Sequence, residues 1–223
     1  GQHTVRIRMI EPLRIGIAGL GTVGAAVVKI LQEKDDLVAE RCGRKIDVVA
    51  VSARSSQKKR NVDIKGLPWF DDAREMAVAA DVDVVVELIG GEDGVAKAVC
   101  ESALAAGRHV VTANKALLAR HGMALAQEAE KAGVALAYEA SVAGGIPIIK
   151  ALREGFVGNH VSSIYGILNG TCNYILTTMR ETGRSFSDVL VEAQELGYAE
   201  VDPTFDIDGT DTAHKLALLA SVA

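Results

Sequence analysis

The chain has 223 residues, 49% of them hydrophobic and only 4% aromatic, with a formal net charge of -5. That length can bury a sizeable core, and apolar content made mostly of Ala, Val, Leu and Ile suits a helix-and-parallel-strand protein rather than a β-sandwich. Acids and bases are mixed along the chain without a long basic stripe, which argues against a nucleic-acid partner; the KKR at 58–60 reads as a solvated loop.

LRIGIAGLG (13–21) is a short apolar run ending in glycines and reads as a buried strand. TVGAAVVKILQEK (22–34) follows with helical spacing of Val23, Val27, Ile30 and Leu31. Strand and helix patterns then alternate: strand 46–53, helix 71–80, strand 82–90, helix 92–107, strand 108–114, helix 115–133 and strand 134–140. Strands alternating with helices through short loops predict a doubly wound, Rossmann-type parallel sheet over residues 10–142. Beyond a boundary near 142 the pattern changes. SVAGGIPIIKALREGFVG reads as a loop entering a helix, and HVSSIYGILNG (160–170) alternates like a strand of a mixed sheet. TCNYILTTMRETG and SFSDVLVEAQELG read as helices, the second with a Ser cap and a closing Gly197. Residues 143–223 are therefore expected to form an incomplete α+β domain. DTAHKLALLASVA is helical and the chain stops inside it without a cap, which favours a fragment of a longer protein. Residues before Met9 carry no reading.

Cys42, Cys100 and Cys172 are far apart, odd in number and free of CxxC spacing. That argues against a disulfide scaffold or a zinc site and fits a reducing cytoplasm. No apolar run reaches the roughly 18 residues of a membrane helix, and no signal peptide is visible.

Gly19, Gly21 and Gly24 form G-x-G-x-x-G between the first strand and the first helix. In that context the motif predicts a dinucleotide site: a tight turn, a close backbone approach to a pyrophosphate, and a helix N-terminus facing the phosphates. An acid at the end of the second strand would favour NAD. The sequence has Arg54 there, with Lys58 close behind, which favours NADP or tolerance of both. Thr112, Ala113, Asn114 and Lys115 stand at the C-terminal end of the fourth strand, where ligands of this fold gather. A cation at a helix start opposes the helix dipole, so Lys115 is a candidate for a role at the nicotinamide end.

EVDPTFDIDGTDTAHK (200–215) places five acids, Glu200, Asp202, Asp206, Asp208 and Asp211, ahead of Lys215. Asp211 and Lys215 are four apart on a helix and share a face. A lysine on a largely apolar helix needs a partner, and its pKa responds to desolvation, as a general acid/base requires. The acids suit a substrate ammonium. A divalent metal is the weaker alternative, because the lysine would compete with it.

GLGTVG (19–24), VVELIGG (85–91), TANKALLA (112–119), EASVAGGIPII (139–149), GILNGTCNYIL (166–176) and ELGYAEVDPTFDIDGTDTAHKLALLA (195–220) together resemble homoserine dehydrogenase, in its order and across nearly the whole chain. The resemblance implies NAD(P)H-dependent reduction of L-aspartate 4-semialdehyde to L-homoserine, a step of threonine, methionine and isoleucine biosynthesis. It implies that Lys215 is the proton donor, with Lys115 the second lysine. Glu200 and Asp211 would hold the substrate, with Asp206, Tyr198, Gly170 and Thr171 lining the pocket. Gly19, Gly21, Thr22, Val23, Gly24, Thr112, Asn114, Lys115, Gly197 and Glu200 would contact the cofactor. A monovalent cation, typically sodium, is implied at the Glu139 carboxylate and the carbonyls of Val142, Gly144 and Ile146, as is a homodimer or higher homo-oligomer. The alternatives are a non-enzymatic dinucleotide-binding sensor, an amino-acid dehydrogenase, or a phosphorylating semialdehyde dehydrogenase with Cys172 as nucleophile.

Overall fold

The computed structural model describes residues 10–79, 81–138, 148–155, 158, 160–162, 164, 166 and 168–222, with the backbone alone at 205 and 220–222. The chain divides into two compact units, residues 1–138 and 139–223.

The first unit contains a six-stranded sheet of β1 (Leu13–Ala18), β2 (Ile46–Ser52), β3 (Trp69–Phe70), β4 (Val84–Glu87), β5 (His109–Thr112) and β6 (Leu136–Ala137). Their order is β3-β2-β1-β4-β5-β6 and every pairing is parallel. The apolar runs of β1 and β4 are explained by burial on both faces. Ile17, Val51, Val85 and Val110 are fully enclosed, each such side chain contributing about 1.5–3 kcal/mol relative to exposure. The helices of this unit are α1 (Thr22–Glu33), α2 (Asp35–Cys42), α3 (Ala73–Val78), α4 (Val95–Ala105) and α5 (Lys115–Ala132). Met76 of α3 packs over β1 because Gly16 has no side chain: a Cβ there would lie 3.2 Å from the Met76 sulfur. The chain order reverses at β1, which lies between β2 and β4, so the crevice beyond the carboxyl ends of β1 and β4 is the ligand position expected of such a sheet.

Two elements differ from the periodicity. Helix α2 lies in a polar stretch with no apolar stripe and ends at Gly43 in the left-handed conformation. Strand β3 has only two residues, too few to show alternation, and pairs with Val51 and Ser52 at the sheet edge.

The second unit contains α6 (Ile148–Lys150), a π-helical turn (Ala151–Gly155), α7 (Gly170–Thr182), α8 (Phe186–Glu195), α9 (Thr204–Ile207) and α10 (Thr210–Val222). Its core joins α7 and α8 through Ile175, Val189 and Ala193, closed by Ala199 and by Tyr174 against Tyr198, ring centroids 5.0 Å apart. The described residues of 160–170 before α7 form no strand, while 163, 165 and 167 lie outside the described residues.

Candidate active site

In the first unit the candidate residues begin at the turn between β1 and α1. Gly19 has φ 99°, and a Cβ there would lie 2.6 Å from the Leu88 carbonyl oxygen. A Cβ on Gly24 would lie 1.9 Å from the Gly19 carbonyl oxygen, so α1 can start against β1 only with glycine at that position. A Cβ on Gly21 would meet nothing within 4 Å. The turn is thus packed on its protein side and open at Gly21, as a cradle for a pyrophosphate requires. Helix α1 follows Gly21 as its N-cap residue and has no side-chain cap, whereas α3, α5, α7 and α8 are capped by Asp72, Asn114, Asn169 and Ser185. Its first N–H groups therefore have no side-chain acceptor and can serve an anion.

Beside this turn lies a cavity of about 370 Å³ lined by Gly21, Thr22, Lys29, Lys58, Lys59 and Arg60 among others. Arg60 closes it from the β2–β3 loop. Its guanidinium donates to the carbonyls of Leu20, Lys58 and Ser55 and lies 5.7 Å from the centre of the Trp69 ring. Lys58 lines the cavity. Arg54 is exposed at the end of β2 and does not line it, whereas Lys29 and Lys59 do.

Thr112 and Asn114 are buried at the C-terminal edge of β5. Asn114 caps α5 by accepting from the Leu117 N–H at 3.1 Å, and its Nδ2 donates to the Gly91 carbonyl at 2.6 Å. Lys115 is half-buried as the first residue of α5. Glu87, to which the sequence pattern gives no role, is fully buried at the end of β4 and accepts from the Thr112 hydroxyl at 2.6 Å.

In the second unit a polar knot forms around Asn169, another residue to which the sequence pattern gives no role. The Lys215 ammonium is 2.9 Å from Asp211 Oδ2 and donates to the Leu168 carbonyl at 2.6 Å. The two side chains are 20% and 6% exposed, so this is a largely desolvated ion pair rather than a surface one. Asn169 Nδ2 donates to both Asp211 (2.8 Å) and Asp206 (2.9 Å), while its Oδ1 accepts from the Cys172 N–H. Thr171 donates to the Tyr198 carbonyl at 2.7 Å, which ties the start of α7 to the segment after α8. Asp206, Asp211, Lys215, Asn169 and Thr171 are therefore gathered together. Tyr198 joins them through its backbone, its side chain being 57% exposed. Gly170 is the first residue of α7, and Gly197 has φ 75° in the turn leading to Tyr198. The Glu200 side chain is exposed, and its carbonyl accepts from Gln194. Asp202 and Asp208 turn onto their own loops, accepting from the N–H groups of Thr204 and Thr210. Among the described residues no cluster of three or more His, Cys, Asp or Glu is arranged to hold a metal ion. Glu139, Val142, Gly144 and Ile146, expected to hold a monovalent cation, lie outside the described residues.

Cys172 lies against this knot, its thiol donating to the Asp206 carbonyl at 2.9 Å. Desolvation, with the charges of Asp206 and Asp211, pushes its pKa above the ordinary thiol value, and burial pushes Cys100 up to about 12. A nucleophilic cysteine needs the opposite shift. Iodoacetamide near neutral pH is accordingly expected to modify exposed Cys42 well before Cys172 or Cys100, as peptide mapping would show. Modification of Cys172 at or above the rate of Cys42 would revive it as a nucleophile.

Residues 19–139 match the family model described as "Homoserine dehydrogenase, NAD binding domain", and residues 147–223 match "Homoserine dehydrogenase". The chain is 50% identical to a homoserine dehydrogenase of Pseudomonas aeruginosa over 96% of its own length and 49% of that protein's. It superposes on the crystal structure of a homoserine dehydrogenase from Thiobacillus denitrificans with TM-score 0.87 and 46% identity, covering 95% of this chain and 48% of that one. A hyperthermophilic archaeal homoserine dehydrogenase in complex with NADPH gives TM-score 0.82 at 29% identity, covering 95% of this chain and 70% of that one. The chain thus spans about half the length of the curated relatives it matches. Among the described residues no helix is long and apolar enough to cross a membrane.

Proposed function

We infer the activity of this chain from one premise: it belongs to the homoserine dehydrogenase family. The reading is that it contributes to reversible, NAD(P)H-dependent reduction of L-aspartate 4-semialdehyde to L-homoserine. The observation that carries it is the Lys215 ammonium, held between buried Asp211 and the Leu168 carbonyl. An ammonium has three hydrogens, and among the described residues these two acceptors engage two of them. The third is available to a substrate oxygen.

When bound, the dinucleotide supplies the hydride. The turn at Gly19–Gly24 and the uncapped start of α1 hold its pyrophosphate. Lys115, with Thr112 and Asn114, serves the nicotinamide end. Lys215 donates a proton to the oxygen that becomes the alcohol, and Asp211 orients the lysine and balances its charge. Asp206 and Asn169 complete the polar wall. Glu200 takes the substrate ammonium, with the Gly170–Thr171 turn and the Tyr198 and Gly197 segment beside it. The same reading includes sodium on Glu139 and the carbonyls of Val142, Gly144 and Ile146, a homodimer or higher oligomer, and a cytoplasmic location. The cation and the oligomer rest on the family resemblance, and the location on the cysteine pattern.

Recognition of the ammonium is tested with succinate semialdehyde, which is the same substrate without its amino group. In the protein encoded by the complete reading frame, kcat/KM is expected to fall at least about 100-fold for this analogue, because acids placed for a cation are left without one. Equal rates for the two aldehydes would remove the acids from substrate recognition.

The lysines around the cavity favour NADPH over NADH. Lys58→Glu is expected to weaken NADPH binding about tenfold or more while leaving NADH within about twofold, as cofactor titration would show. An equal change for both cofactors would place the 2′-phosphate elsewhere.

A further inference from the structure

Glu87 is a fully buried carboxylate on the last residue of β4, and no ion pair among the described residues includes it. Burying such a group without a cation is costly unless its hydrogen bonds are complete. Its Oε1 accepts from the N–H groups of Ile89 (2.7 Å) and Gly90 (3.1 Å), and its Oε2 from the Thr112 hydroxyl (2.6 Å). Thr112 Oγ1 in turn accepts from the Asn114 N–H at 3.0 Å. Asn114 returns to the same loop by donating to the Gly91 carbonyl, and it caps the helix that begins at Lys115. The Leu88–Ile89 backbone also presses on Gly19, where a Cβ would lie 2.6 Å from the Leu88 oxygen. One carboxylate therefore joins the loop at 88–91 to the Asn114–Lys115 turn, and that loop abuts the glycine turn.

We propose that Glu87 is a positioning residue for the nicotinamide end of the dinucleotide site, fixing the loop at 88–91 and the Asn114–Lys115 turn as one surface through the Thr112 hydroxyl. This rests on the reading of that strand edge as the nicotinamide end. The chemistry requires an acceptor on both sides of residue 87. Both oxygens of the carboxyl group accept here, whereas an amide has one oxygen and one NH2. A glutamine there either faces the Ile89 and Gly90 N–H groups with its own NH2 or leaves the Thr112 proton without an acceptor. E87Q keeps the volume and breaks one link of the chain.

The test uses the complete protein and the variants E87Q, T112V, T112S, the double variant E87Q/T112V, and K115M. Readouts are kcat with NADPH and semialdehyde, and affinity for 2′,5′-ADP, which reports on the adenosine half alone. E87Q and T112V are expected to lower kcat about 10- to 100-fold, the scale of a small misplacement of reacting groups, while 2′,5′-ADP affinity stays within about twofold. The double variant should fall no more than about threefold below the poorer single, because both act through one chain of bonds. T112S, which retains the hydroxyl, should recover most of what T112V loses. Turnover of E87Q and T112V within about threefold of the parent overturns the inference. So does a parallel loss of 2′,5′-ADP affinity, which would make Glu87 only a structural support, or a multiplicative effect in the double variant. K115M separates the two levels: if it is inactive while E87Q is active, only this inference falls. If K115M turns over like the parent, the nicotinamide reading of the edge falls with it.

Discussion

Lys215→Ala is expected to lower turnover by about two to four orders of magnitude, the range supplied by a positioned general acid. Cofactor affinity is expected to change little, since the pyrophosphate is read as held by the glycine turn and not by Lys215. The alanine variant alone is ambiguous, because it leaves Asp211, 6% exposed, without its cation. Removing one partner of such a pair destabilises by about 3–5 kcal/mol. Lys215→Arg resolves the ambiguity. Arginine can still pair with Asp211 and donate to the Leu168 carbonyl, but its guanidinium does not give up a proton near neutral pH. The expected result is a melting temperature close to the parent with turnover still reduced at least about 100-fold. Turnover of either variant within a few-fold of the parent would remove Lys215 from the proton transfer.

The second large effect separates two glycines of one motif. Gly24→Ala would bring a Cβ to 1.9 Å from the Gly19 carbonyl oxygen, a backbone atom that cannot swing away. The turn must deform, so both stability and dinucleotide affinity are expected to fall, the affinity by about 100-fold or more. Gly21→Ala would meet no protein atom within 4 Å and requires no unusual backbone, its φ being -73°. The melting temperature of G21A should therefore stay near that of the parent, while a methyl group in the open face of the cradle weakens NADPH by about tenfold or more. Calorimetry and cofactor titration on the two variants give a two-by-two comparison. If G21A binds NADPH as the parent does, the open face of the turn is not where the pyrophosphate lies.

The parts of the site legible in the sequence were those fixed by short spacing. The glycine turn is recognisable because its three glycines follow an apolar strand and open a helix. The Asp211–Lys215 pair is recognisable because i and i+4 share a helix face. What escaped depends on contacts far apart in the chain. Asn169 falls in the stretch 160–170 that alternates like a strand, whereas it caps α7 and its Nδ2 reaches Asp206 and Asp211 some forty residues later. Glu87 reads as one acid at the end of an apolar strand, and its meaning lies in Thr112 on the neighbouring strand, opposite it in the β4–β5 register. Arg54 drew attention as the residue standing where an acid would bind ribose, yet Lys29 on α1 lines the cavity and Arg54 does not. In the fold, β4 was evident from its apolar run. Strand β3 was too short and α2 too polar to give a period.

The most direct measurement follows oxidation of NADPH by the protein of the complete reading frame with L-aspartate 4-semialdehyde, and identifies the product. The account predicts rapid, substrate-dependent oxidation with stoichiometric appearance of L-homoserine. A protein that binds NADPH yet oxidises neither it nor NADH in the presence of the aldehyde would contradict it, and the cluster around Lys215 would then serve a different substrate.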